Sequence, residues 1–241
     1  DHGFSTIART VDLPGVLQKA GFKAGRAFSK TPAEGEVLVV NNGTASLLYV
    51  AGQHQPTIRR LIEFLQQQDF TGVILTREPH QGTFTLDQAR VNTPHPPDII
   101  VSFRWSEDKS STGLPGLMIA DSGSRGAGQG AHGGLSRYDM HNTLIAAGPD
   151  FQKGMTNILP SSNADLAPTV LHLLGLKPAG TMDGRVLVEA LVNPPSTKVT
   201  PVELNTLEAA ALNGQVRRSE EHTSELQSHS DLVCRLLLEK K

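Results

Sequence analysis

Cysteine is almost missing from this sequence of 241 residues; the one copy, Cys234, lies near the C-terminal end. A single thiol cannot close a disulfide within the chain, so no disulfide framework organises the fold. A surplus of one charge is missing too, with 22 Lys and Arg against 24 Asp and Glu and a formal net charge of -2. That balance argues against the basic surface on which a general nucleic-acid binder relies. No apolar run approaches the ~20 residues of a membrane-spanning helix, so no membrane segment is expected. No internal repeat and no signal peptide is visible. The chain opens on Asp1 rather than Met, and the native amino terminus is expected to lie upstream. What is present is ordinary for a globular protein: 38% hydrophobic and 19% charged residues, enough for one large domain or two small ones.

Hydrophobic periodicity divides the chain into alternating strands and helices. Residues 1–35 mix polar side chains with Gly and Pro and read as a surface excursion with one short helix. VLVV within Glu36–Asn41 and SLLYV at Ser46–Val50 read as strands, and Asn41-Asn42-Gly43 between them has the turn chemistry that tolerates positive φ. Ile58, Leu61, Ile62 and Leu65 recur at helical spacing behind Pro56, which suits a first helical turn. Gly72 opens the strand VILT; Asp98–Phe103 and Leu117–Ala120 are further strands, separated by the polar stretch 106–113. Thr143–Ala147 is predicted as another strand, stopped by Gly148-Pro149. LAPTVLHLL is predicted as a helix, with Asp165 as its cap, Pro168 in the first turn, and Gly175 and Pro178 ending it. Residues 193–201 read as a linker or surface loop. Strands alternating with helices predict an α/β fold, a sheet flanked by helices, with its core over about residues 36–192.

The end of the chain reads differently. Residues 218–241, RSEEHTSELQSHSDLVCRLLLEKK, resemble the translation of a sequencing adapter; a capped polar helix beginning at SEEHTSELQS is the competing reading. On the adapter reading the segment is an artefactual tail, set aside from fold and function as an expression tag is. Cys234 goes with it, as do four of the 22 basic and five of the 24 acidic residues, leaving 18 against 19 in residues 1–217.

Two places carry the residue types that do chemistry. Asp1-His2-Gly3 offers a carboxylate and an imidazole at adjacent positions, with a glycine that lets a sharp turn bring both to one metal. Oxygen plus nitrogen suits zinc with a position left for a reacting group, although the tripeptide alone is also what an ordinary polar turn contains. His132 stands in GAHGGLSRYDMHNTLIAAGPDF, crowded by glycines that allow close backbone approach and leave one imidazole at the centre. The spacing Gly128-x-Gly130-x-x-Gly133 matches a dinucleotide fingerprint in form only, because loop and strand rather than helix are predicted after it. His141 reads as a side chain that hydrogen-bonds this loop in place rather than as a ligand. His80 and His95 fall in Pro-rich loops and read as surface residues.

Taken together these segments resemble the alkaline phosphatase superfamily. Asp1-His2-Gly3-Phe4 is similar to its SDHG motif, and HGGLSRYDMHNTLIAAGPDFQKG to its second zinc motif, a His-Gly pair ahead of a strand ending in Gly-Pro-x-Phe. NADLAPTVLHLLGLKPAGTMDGRVL resembles the helix and closing segment of the type I phosphodiesterase and nucleotide pyrophosphatase branch, so the resemblance spans most of residues 1–192. It implies that residues 1–217 are the C-terminal half of an alkaline-phosphatase-like catalytic domain, a partial alkaline-phosphatase-like sheet flanked by helices. It further implies two zinc ions, with Asp1 and His2 ligating one and His132 the other. The implied reaction is hydrolysis of a small phosphate ester through a phospho-Thr or phospho-Ser intermediate. In family order the nucleophile, the first metal-binding Asp and an Asp-x-x-x-His motif all precede Asp1, so this chain is expected to lack them and to be inactive. The family also implies a periplasmic or secreted location.

Phosphomonoesterases of the alkaline phosphatase type share the same ligands and stay open as an alternative. Sulfatases use one calcium and have no counterpart of His132. Phosphosugar mutases keep the two-metal core but resemble Gly-Pro-Asp-Phe and Met-Asp-Gly-Arg-Val-Leu less. From another class, three ligands without the remainder would make the polypeptide a non-catalytic metal-binding or interaction module.

Overall fold

A computed structural model describes residues 2–123, 125–195, 202–210, 216–224 and 235–237, the last three segments as strands. The chain opens with strand β1 (Ser5–Val11), helix α1 (Leu13–Lys19) and the short strand β2 (Ala24–Gly25). The hairpin β3 (Val37–Asn42) and β4 (Ala45–Val50) leads to helix α2 (Gln55–Gln66) and strand β5 (Thr71–Thr76). Next come β6 (Phe84–Thr85), β7 (Ile99–Phe103), β8 (Trp105–Lys109), β9 (Pro115–Asp121), β10 (Gly130–Ala131) and the single-turn helix α3 (Arg137–Met140). Helix α4 (Leu166–Leu173) and strands β11 (Val202–Ala210), β12 (Val216–Ser224) and β13 (Arg235–Leu237) complete the described elements. Two compact units result, a larger one built on His2–His141 and a smaller one on Asn142–Leu207.

Mixed sheets with helices make this an α/β protein, as its alternating pattern predicts. A six-stranded sheet runs β2-β3-β4-β7-β5-β6, and a four-stranded sheet runs β10-β1-β9-β8. A third sheet has the order β11-β12-β13. No helix among the described residues is long and apolar enough to cross a membrane.

The main core lies on the six-stranded sheet. The helical stripe of α2, Ile58, Leu61, Ile62 and Leu65, is buried together with Leu13 and Leu17 of α1 and Val37, Val39, Leu48, Ile74, Ile99, Val101 and Phe103 of the strands. Fully burying a Leu or Ile side chain contributes about 1.5–3 kcal/mol, so this stripe rather than the helix's own propensity holds α2. The turn between β3 and β4 is two residues long, Gly43-Thr44, and Gly43 sits at φ 67°.

Three expectations need correction. Residues 1–35 contain the expected short helix, α1, and an exposed stretch at 26–35, but their beginning is no surface excursion: β1 is an inner strand of the four-stranded sheet, parallel to β9 and antiparallel to β10. STIARTV hides this because only Ser5, Ile7 and Val11 are buried while Arg9 and its neighbours reach solvent. The polar stretch after Phe103 holds a strand as well, since β8 pairs with β9 at the sheet edge, where one exposed face accepts Ser, Glu, Asp and Lys. Thr143–Ala147, by contrast, forms no strand. Leu144 and Ile145 are 46% and 85% exposed, and no strand among the described residues takes up this segment's backbone hydrogen bonds.

In the smaller unit, α4 forms where expected and ends at Gly175, φ 65°. Asp165 stands at its N-cap position, but its carboxylate caps a different group. It accepts the Ser162 N–H at 2.9 Å and the Arg185 N–H at 2.7 Å, tying the MDGRVL segment to the start of the helix. Of the segment 193–201, residues 196–200 and 201 lie outside the described residues, as does most of the adapter-like tail.

Candidate functional site

The two histidines singled out in the sequence stand 130 positions apart and meet face to face. The His2 and His132 rings stack with centroids 3.8 Å apart and planes 15° from parallel. Phe4 closes one side, its ring 5.1 Å from His2 and 5.0 Å from His132. Strand register explains the meeting. Ser5 pairs with Ala131 and Thr6 with Gly130 in an antiparallel ladder. Continued one step past the strand ends, that register sets Phe4 opposite His132. His2 lies just before the strand, where the Gly3 N–H bonds to the Asp139 carbonyl, and its ring stacks on that of His132. Asp1, the third expected ligand, lies outside the described residues.

Local bonds hold the His2 ring and the His132 backbone. His2 Nδ1 lies 3.0 Å from the Gly3 carbonyl oxygen, a contact in which a ring N–H donates. The His132 carbonyl accepts the Thr44 N–H at 3.0 Å, pinning the glycine loop to the β3–β4 turn. Glycine is needed on both sides of that approach. A Cβ on Gly43 would lie 2.1 Å from the His132 carbonyl oxygen, and one on Gly133, at φ 106°, 2.3 Å from the Asn42 carbonyl oxygen. Gly3 is equally confined, since a Cβ there would lie 1.8 Å from the Tyr138 carbonyl oxygen.

Behind the stack sits Asp139, 3% exposed, which sequence reasoning missed. Its carboxylate accepts the Ser5 hydroxyl at 2.5 Å, the Thr44 hydroxyl at 2.8 Å and the Gly134 N–H at 3.1 Å. Its carbonyl accepts the Gly3 N–H at 2.8 Å. A signal was available in Ser136-x-x-Asp139, the spacing of a helix N-terminus, and the Ser136 hydroxyl does accept the Asp139 N–H at 3.0 Å. The loop-holding role expected of His141 therefore belongs to Asp139; His141 is exposed and ends α3.

A second buried carboxylate braces the far end of the same strands. Asp121, fully buried, makes a bidentate ion pair with Arg26 and accepts the Ser46 hydroxyl at 2.9 Å and the Gly123 N–H at 2.8 Å. His95 is exposed in its loop. His80 is half-buried, and desolvation, aided by the Arg59 charge and opposed by Glu78, holds its imidazole below the usual histidine range.

Among the described residues no three His, Cys, Asp or Glu side chains come together as a metal-binding group. The donor set that is present, two imidazoles, suits zinc. The His2 arrangement also fits ligation, since a metal-binding histidine characteristically donates its other ring N–H to a backbone carbonyl or carboxylate. In comparisons with known proteins, the chain matches no family model, no curated protein and no solved structure.

Proposed function

We propose that this chain is part of a two-zinc phosphoric ester hydrolase of the alkaline phosphatase superfamily, in its phosphodiesterase and nucleotide pyrophosphatase branch. The Thr or Ser nucleophile would belong to a region of the parent protein outside this sequence. The observation that supports the reading is the stack of His2 on His132, the two imidazoles that the motif resemblance selects from opposite ends of 130 residues. On this reading His2, with Asp1, holds one zinc and His132 the other.

When bound, such a pair of ions supplies charge stabilisation to both the attacking and the leaving oxygen of an in-line phosphoryl displacement. The chain's own residues position and shelter. The Gly3 carbonyl orients His2, the Thr44 N–H anchors the backbone of His132, and Phe4 forms an apolar wall beside both rings. The substrate implied is a small phosphate ester.

The test compares three proteins on bis-(nitrophenyl) phosphate with zinc supplied: this chain alone, the parent enzyme, and the parent carrying His2→Ala or His132→Ala. The chain alone is expected to show no turnover, because the nucleophile is absent. The parent should hydrolyse the ester. Each substitution should lower its rate about a hundredfold or more, since several kcal/mol of transition-state charge stabilisation depend on the ions. Turnover by the isolated chain, or undiminished rates in both variants, overturns the assignment.

A further inference from the structure

Resting on the two-histidine reading, we infer that Asp139 is the positioning residue of this centre, the group that holds the strand bearing His2 and the loop bearing His132 in one register. Three segments converge on it, and each connection falls close in sequence to one of the two histidines or to a residue bonded to it. Ser5 lies three residues after His2, and Gly3, whose N–H goes to the Asp139 carbonyl, is its immediate neighbour. Gly134 lies two residues after His132. Thr44 gives its hydroxyl to Asp139 and its N–H to the His132 carbonyl, so one residue is bonded to both. Short β10 supplies only two paired residues, Gly130 and Ala131, to hold the loop against β1. Beyond that pairing, Ile7 exchanges backbone bonds with Gly128 and Gln129 on the near side of the loop, while on the far side of His132 the ties are those to Asp139 and the Thr44–His132 bond.

The carboxylate's donors are two hydroxyls and an amide, all neutral. A buried carboxylate with neutral donors carries a desolvation cost that an amide in its place would avoid. Its charge strengthens each bond it accepts. An asparagine could keep the Thr44 and Gly134 bonds with its one oxygen while its amide faced Ser5, whose hydroxyl can turn to accept. Alanine keeps none of them.

The experiment uses this chain. Inter-ring nuclear Overhauser contacts between His2 and His132 are measured, with zinc ion titrated calorimetrically, for the wild type, Asp139→Ala and Asp139→Asn. The Ala variant should lose the inter-ring contacts and bind zinc at least tenfold more weakly, in the about 10–100-fold range typical of residues that orient metal ligands. The Asn variant should keep the contacts. An Ala variant with contacts intact and zinc affinity within twofold of wild type overturns the inference. If the Ala protein does not fold, Ser5→Ala with Thr44→Val removes two of the three carboxylate bonds and is read by the same two measurements. A wild type that shows the contacts and binds no zinc overturns the zinc reading and leaves the positioning role supported by the contacts. Zinc binding that is equal in wild type and the Ala variant, with contacts intact in both, overturns the positioning role and leaves the zinc reading standing. Absence of the contacts in the wild type overturns both.

Discussion

Replacing Gly43 by alanine tests whether the two glycines of the His132 approach are structural necessities. The new Cβ would lie 2.1 Å from the His132 carbonyl oxygen, where ordinary contact begins at 3.4 Å. The obstacle is backbone, so no rotamer relieves it, and the loop must retreat. Retreat stretches the 3.0 Å bond from the Thr44 N–H to that carbonyl, worth about 0.5–1.5 kcal/mol net. The residue must also hold φ 67°, which costs a non-glycine residue roughly 1–2 kcal/mol. Together these predict a loss of about 1.5–3.5 kcal/mol, out of the ~5–15 kcal/mol that holds a domain of this kind together, so the variant should fold. Gly21→Ala provides the control, because Gly21 sits at φ 83° with nothing within 4 Å of its Cβ and should show the conformational cost alone. Denaturant midpoints at constant slope give both values, and the His2–His132 contact by NMR reports on the loop. If Gly43→Ala costs no more than Gly21→Ala and keeps the ring contact, the close approach has no energetic role.

Arg26→Ala should cost about 3–5 kcal/mol at most, and less by the share that solvent screens of a guanidinium 37% exposed, because it strands the buried Asp121 carboxylate. Arg26→Met with Asp121→Asn should be milder than Arg26→Ala alone, a comparison that denaturant unfolding of the two proteins checks. His80 is held below the usual histidine range by desolvation, so its neutral form is favoured in the folded chain. Stability from this source is present above the unfolded value near pH 6.5 and is lost as pH falls from there through the folded value. His80→Gln should flatten the unfolding free energy as pH falls below about 6.5 relative to wild type; parallel curves would show that His80 is not the group responsible.

The sequence by itself determined the elements whose signal is local. The VLVV and SLLYV runs flanking a glycine turn, the i, i+3, i+4, i+7 stripe from Ile58 to Leu65, and the apolar runs at 99–103 and 117–120 each formed the predicted strand or helix. Burial of one face leaves a period that can be read without knowing the partner. His132 stood out for the same kind of reason, because the glycines around it mark a backbone that must pass close to something. Tertiary structure alone decided what that something is. STIARTV is a strand because β9 and β10 lie on either side of it, and SEDK is one because the edge of β9 accepts it, whatever their own polarity. Thr143–Ala147 has the apolar run and no described neighbour, and stays unpaired. The pairing of His2 with His132, and the convergence of Ser5 and Thr44 on Asp139, depend on register between residues 95 to 134 positions apart. Such register is a property of the assembled sheet: the hydrogen-bond ladder that sets it joins two segments, and neither carries the pattern alone.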